Sequence, residues 1–450
     1  MKTGPSSKAK ADRERALARC LIRAADSAVS AARAADPKAF SRRRKAYPRA
    51  LFLQAATRRS STQRSEAEYA SESFGMGRMT GVGFFKARDK IPWSAYLAAV
   101  RSLAADFYSG RAGPKPGHSF RGFHVFGVDG SDWQVPTNVI GDAGGEGFGR
   151  AKGNKAKGDE CPMMCKVSGA FDARTGFAAD VRIGRYKHSE QDFAKLHVAR
   201  LKELFPEGDF IVVFDRLYCS GPFILWLIRS GVKFAVRCKL KNFRAHHEHI
   251  PAGKSEVSRV RWTRNAVRLQ PKEVADALAE GLDLRFCCVD LGPSAKERRE
   301  VVVTNLTPGE APDRSMKRLY ALRWPSETSF RFSKEPVGGM QYSGRRANLV
   351  LQDVAASFLA ADVCCAIRYQ AELIAGLDGW RGKAGSRRVN FSALVGMFKK
   401  NAPRLWLADP GSGPPIAEEA SKITIPVRPD RKFQRRPGNN RDLMSYKPNY

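Results

Sequence analysis

The chain is short of acid, of histidine and of long apolar runs. Asp and Glu total 45 against 78 Lys and Arg, which leaves a formal charge of +33 over 450 residues. A compact fold with that surplus repels itself unless a polyanion offsets it, so nucleic acid is the expected partner. A contact with anionic lipid, or a merely highly charged protein, is the alternative. The longest uninterrupted apolar run, residues 222–228, is far too short to span a bilayer, and no membrane role is expected. Cysteine is odd in number at nine, with Cys287 next to Cys288 and Cys364 next to Cys365, and no secretory leader precedes them. Reduced thiols in a cytoplasm are therefore expected. Glycine-rich residues 141–160 lack the Gly-Lys-Ser/Thr ending of a nucleotide-phosphate loop and read as a mobile connection. Residues 246–249, His-His-Glu-His, have no matching cysteine pair, which argues against zinc.

What is present is enough to build a large core. Hydrophobic residues make up 43% of the chain, close to globular usage, and the length implies two to four units. Residues 1–110 read as a basic, helical DNA-binding region, because the first 70 residues hold 17 Lys and Arg against 6 Asp and Glu in an Ala/Arg-rich setting. Residues 91–109 repeat apolar positions at helical spacing.

From residue 123 the period changes to two. Residues 123–136 read as two strands joined in a tight turn at Asp129-Gly130. A second hairpin is expected around Asp172–Gly176, then a helix capped by Ser189 and running to about Phe205. Residues 209–215 form a buried strand ending in Asp215; a helix over 221–230 and a strand over 233–239 follow. Residues 111–239 and 312–400 thus form an α/β core, a mixed sheet flanked by helices. Between them, 240–311 reads as a β-rich insertion with strands at 260–269, 282–291 and 299–306. Helices are expected over 312–335, 349–373 and 391–400, and 401–450 forms a basic tail.

Phosphodiester chemistry with two divalent ions needs acidic oxygens converging on one spot. Asp129 and Asp215, each closing a strand, and Glu327 on a later helix meet that need if the strands are neighbours. Each has an ordinary reading as a turn, a cap or a solvated ion pair with Arg323 or Arg331, four residues to either side. Tyr320, Arg323, Glu327 and Lys334 are spaced by 3, 4 and 7, which places them within about 60° on a helix. Pro325 interrupts that stretch and disfavours helix at Trp324, so that Tyr320 and Arg323 precede the helix.

This pattern resembles the bacterial insertion-sequence transposases of the DDE class, whose signature is Tyr-x2-Arg-x3-Glu-x6-Lys. All four positions match, with Trp324 and Phe330 where the family favours aromatics. Residues 128–132, Val-Asp-Gly-Ser-Asp, resemble the first-aspartate segment and residues 214–239 the second, although Leu217 stands where Gly is usual. The resemblance covers about 125–360. It implies a ribonuclease-H-like core and Mg2+ or Mn2+, two ions, held by Asp129, Asp215 and Glu327. Tyr320, Arg323 and Lys334 would grip phosphates, with Arg331 beside them. The implied partners are double-stranded transposon ends and target DNA, bound by a homodimer, and the implied location is the bacterial cytoplasm and nucleoid. Trp262, between Arg261 and Arg264, would stack on a displaced base or pack on its neighbours. A catalytically inactive DNA-binding derivative and an RNA-associated basic protein are the competing functions.

Overall fold

The computed structural model describes residues 7–41, 47–58, 63–109, 119–137, 139, 148–150, 163–292, 298–377, 385–407 and 415–428. Most of the glycine-rich connection, Cys161 and the end of the basic tail lie outside the described residues. An N-terminal helical layer comes first: α1 (Ser7–Ala35), α2 (Pro48–Ala56), α3 (Gln63–Phe74), α4 (Gly81–Arg88) and α5 (Ser94–Ser109). Next come β1 (His124–Val135), β2 (Gly149–Arg150), β3 (Met163–Asp172), β4 (Ala178–Arg185), α6 (Glu190–Leu204), β5 (Phe210–Phe214), α7 (Gly221–Arg229) and β6 (Lys233–Cys238). The chain continues through α8 (Arg244–His247), β7 (Ser255–Val260), α9 (Arg264–Val267), α10 (Lys272–Glu280), β8 (Leu282–Asp290) and β9 (Arg299–Thr304). Then follow α11 (Asp313–Ala321), α12 (Trp324–Lys334), α13 (Ala347–Ile374), β10 (Arg387–Val389), α14 (Phe391–Leu407), α15 (Ile416–Ser421) and β11 (Thr424–Pro426).

Strands β1 to β9 form one sheet. β3 pairs antiparallel with both β4 and β1, β5 then adds parallel to β1, and β6 parallel to β5. This mixed order, flanked by helices, is the ribonuclease-H-like arrangement expected from the sequence. β9 pairs antiparallel with β6, and β8 and β7 follow, so the chain between β6 and α11 extends the same sheet.

Alternation along the strands decides which helices cover which face. Phe126 and Val128 of β1, Val212 and Phe214 of β5, and Phe234 and Val236 of β6 pack with Val198 of α6 and Phe223 of α7. Val125, Ile211, Val213 and Ala235 point the other way, onto Met316, Leu319 and Tyr320 of α11. The turn after β3 is held by Asp172 Oδ1, which accepts from Arg174 N at 2.6 Å and Thr175 N at 3.0 Å. Gly176 closes it at φ +71°, where a side chain would be strained. Ser189 caps α6, accepting from Asp192 N at 3.3 Å, as its spacing predicts.

Two local expectations are overturned. Asp129-Gly130 is not a turn, for β1 is one continuous strand in which Asp129 faces Gly169 and Gly130 faces Ser168 across β3. Gly130 serves close approach instead: a Cβ there would lie 2.6 Å from Glu190 Cδ. Residues 260–269 are not a strand either. β7 ends at Val260, and Thr263 caps α9 by accepting from Ala266 N at 3.4 Å. That short helix delivers Val267 to Leu225 of α7 and Leu278 of α10.

α13 is the spine of the helical side. It is long and apolar enough by composition to cross a membrane, yet its most apolar stretch is wholly buried in the protein. A helix apolar on every side needs cover on every side, and α2, α5, α12, α14, α15 and β4 supply it. The N-terminal layer is tied to it by a buried charge cluster. Arg88 donates to Gln352 Oε1 at 2.9 Å, to Ser343 Oγ at 3.2 Å and to Asp353, while Arg58 lies 3.2 Å from the same carboxylate. Burial would raise the Asp353 carboxyl, but the two guanidiniums outweigh it and hold the group below its ordinary range.

Candidate active site

Parallel pairing of β1 with β5 sets Val128 against Phe214, so the next residues, Asp129 and Asp215, lie side by side. By alternation both belong to the face that carries Val125, Ile211 and Val213, the face covered by α11 and α12. The last bond of the sheet thus brings together two acids 86 residues apart (215 − 129). Asp215 also caps a single 3-10 turn, Arg216–Tyr218, by accepting from Arg216 N.

The third acid arrives from above. The chain breaks between α11 and α12, with Pro325 in the first turn of α12 and Arg323 as its N-cap residue. Proline fits there because the first helical N–H groups have no partner to lose. Tyr320 therefore sits on α11, while Glu327 lies in the first turn of α12 and Lys334 ends it. The close seating of α12 on β1 depends on Gly127, where a Cβ would be 3.2 Å from the Arg323 carbonyl.

Arg323 joins the acids. Its guanidinium lies 2.8 Å from Glu327 Oε1 and 3.4 Å from Asp129 Oδ2. Glu327 thus faces Asp129 through a cation rather than directly, and among the described residues no three metal-binding side chains converge closely enough to hold an ion. Burial pushes the Asp129 carboxyl up to about 6, with Glu190 and Asp215 adding to it, against the opposing pull of Arg323 and the Gly130 N–H. Tyr218, its hydroxyl 3.3 Å from Glu190 Oε2, is raised well above the ordinary phenol range by burial and by those same carboxylates.

The remaining sequence candidates are spread around this centre. Lys334 donates to Ser131 Oγ at 2.8 Å and to the Asp132 carbonyl at 3.2 Å, and stands 5.0 Å over the Trp133 ring. Burial lowers its ammonium. The Tyr320 hydroxyl is buried without a hydrogen-bond partner among the described residues. Arg331 is exposed and makes no ion pair with Glu327 among them. Trp262 is packed: it covers Gly221, where a Cβ would be 2.7 Å from its ring, and meets Phe243 edge-on at 5.7 Å.

Three groups beside Asp129 escaped sequence reasoning. Glu190, at the start of α6, pairs with Lys166 at 3.0 Å, and Lys166 also holds Asp132 at 2.6 Å. The only trace of Glu190 in the sequence was its place after the capping Ser189. Behind the strand, His197 lies 2.7 Å from Asp180 and 3.0 Å from Ser168 Oγ, and the Ser168 hydroxyl donates to the Asp129 carbonyl at 3.1 Å. This Ser-His-Asp row is not a nucleophile, because all three residues are wholly buried. It fixes the backbone of Asp129. Burial would raise Asp180, but the His197 hydrogen bond and nearby arginines outweigh that and hold it at about 2.

The donor set fits a hard divalent ion. Asp129, Asp215 and Glu327 offer only oxygen, although in this structure Arg323 stands between Asp129 and Glu327 in the place a cation would take. No curated protein matches the chain in sequence. Among solved structures, the synaptic complex of piggyBac transposase with hairpin DNA is similar at a TM-score of 0.45 and 10% identity, over 99% of this chain and 91% of that one. A family model, the transposase DDE domain, matches residues 122–362, a span that contains both aspartates, Glu327 and Lys334. With more than half of its length inside that match, the chain belongs to the DDE transposase family.

Proposed function

We propose that this chain cuts DNA at transposon ends and joins the freed 3′ ends to target DNA, in the manner of the insertion-sequence transposases with the Tyr-Arg-Glu-Lys signature. The observation that carries the reading is the register of β1 with β5, which seats Asp129 beside Asp215, with Arg323 linking Asp129 to Glu327. Asp129, Asp215 and Glu327 would hold Mg2+ or Mn2+, which when bound supplies charge neutralisation at the attacking and leaving oxygens of the phosphodiester.

The residues of the chain do the rest. Arg323, already placed between two of the acids, turns its planar fork to a phosphate oxygen pair when those acids are otherwise neutralised. Lys334, half-buried at the end of α12, places a point charge next to Ser131 on the strand that carries Asp129. The surplus of +33 draws the two DNA partners, and a homodimer would bring paired ends together.

Cleavage of a duplex carrying the terminal repeat, in Mg2+, tests the reading, with Asp215→Asn as control. Nicking by the wild type that is lost in the variant is the expected outcome. Binding without nicking by the wild type would refute catalysis and identify an inactive, DNA-binding derivative.

A further inference from the structure

Next to Asp215 lies a cleft that the proposed cleavage site does not use. It has a volume of about 200 Å3 and is lined by Arg216, Arg237, Lys239, Lys241 and Arg299, with Glu300 the one carboxylate. Its position follows from the sheet. β5 and β6 are parallel, with Phe214 level with Val236, so the residues leaving their carboxyl ends emerge together. Such crevices at the ends of parallel strands are where α/β sheets take ligands.

Only one of the five basic groups in it is paired with an acid among the described residues. Arg237 is paired with Glu300 at 2.6 Å, and Arg299 donates to the Glu248 carbonyl at 3.1 Å and to that of His247, which leaves its charge intact. Arg216, Lys239 and Lys241 form no ion pair among the described residues. Lys241 and Arg216 are exposed, and Lys239 is half-buried. Holding so many like charges together is unfavourable unless an anion visits. Arg216, whose backbone N–H donates to the Asp215 carboxylate, lines the cleft, so the cleft adjoins that acid.

Resting on the transposase reading, we propose that this cleft is a separate subsite for a backbone phosphate of the bound DNA, one beyond the phosphate at the carboxylates. A whole nucleotide is the poorer occupant. Small-molecule pockets run to roughly 300–1,000 Å3 and use apolar or aromatic walls, whereas this lining holds no aromatic side chain. Size and charge together select a phosphate that arrives attached to a strand.

The test is equilibrium binding of the full chain to a mixed-sequence DNA duplex, by fluorescence anisotropy across a salt series. The wild type is compared with Lys239→Gln/Lys241→Gln and with Lys272→Gln, an exposed lysine on α10, as control. Loss of the contact to that phosphate should lower the slope of log affinity against log salt by about 1, while the control keeps the wild-type slope. An unchanged slope in the double variant, with an unchanged thermal midpoint, overturns the proposal. So does competition by inorganic phosphate that depends on the two lysines while duplex affinity does not, since that marks a site for the free anion. Failure of the wild type to nick DNA would refute cleavage while leaving a lowered slope standing; intact nicking with an unchanged slope refutes the subsite alone.

Discussion

Replacing Asp129 by Asn should make the protein more stable while abolishing cleavage, and the gain should depend on pH. The carboxyl titrates near 3.8 in an unfolded chain and is pushed up to about 6 in the fold, first by burial and then by Glu190 and Asp215. Below pH 3.8 the group is protonated in both states and contributes no difference. Between 3.8 and about 6 the folded form holds a proton that the unfolded form has lost, so stability falls as pH rises. Above about 6 the whole difference has been forfeited, which amounts to about 3 kcal/mol. Asn carries no such penalty. At roughly 2 cal/mol/K of unfolding entropy per residue over 450 residues, that is an advantage of about 3 °C in midpoint at neutral pH. Thermal unfolding of both proteins should be followed from pH 4 to pH 7.5 with a chelator present, because divalent ions would stabilise the wild type selectively. The quantity that matters is the growth of the gap with pH, which removes any constant difference in packing. A gap that stays flat across that range would refute the placement of Asp129 in a desolvated, acid-rich setting.

Three further outcomes follow from named contacts. Arg88→Met should cost about 3 kcal/mol in denaturant unfolding, the low end for a broken buried pair because Arg58 still faces Asp353; a cost under about 1 kcal/mol would show that the cluster does not tie α4 to α13. Ser168→Ala leaves a buried His197 nitrogen without its partner, so a loss of about 1–3 kcal/mol is expected. An unaltered unfolding curve would remove the support assigned to Asp129. Gly130→Ala must push aside the flexible end of Glu190, so a cost of no more than about 1 kcal/mol should appear by the same measurement; a larger loss would mean that Lys166 and Tyr218 hold Glu190 rigidly against β1.

Local chemistry made much of this fold readable in the sequence. The hairpin at Asp172–Gly176, the cap at Ser189, the strand ending at Asp215 and the apolar helix α13 each announce themselves within a few residues. Pro325 marked the break between α11 and α12 for the same reason. The failures arose where one local pattern has two outcomes. Asp-Gly serves a tight turn or a continuous strand, and the ladder with β3, whose Gly169 and Ser168 lie some 40 residues later (169 − 129), decides between them. In residues 260–269 the alternation suggested a strand, but the Thr263 cap and the need to seat Val267 on α10 prevailed. Of the candidate site, the acids and Arg323 were singled out through the resemblance of their segments to the family signature, since spacing alone left a turn, a cap or an ion pair open; Glu190, Lys166 and the Ser168–His197–Asp180 row were not, because each comes near Asp129 only through the pairing of distant elements.

The immersion of α13 fixes how the molecule can be divided. Of its 28 residues, 24 are buried, and much of that cover comes from helices that precede β1. Deleting the first hundred residues would not release a smaller folded unit; it would strip one side of an apolar rod and leave it to find other chains. The helices before β1 and the sheet that carries the acids thus share one axis, and neither side can be removed without uncovering apolar surface on the other.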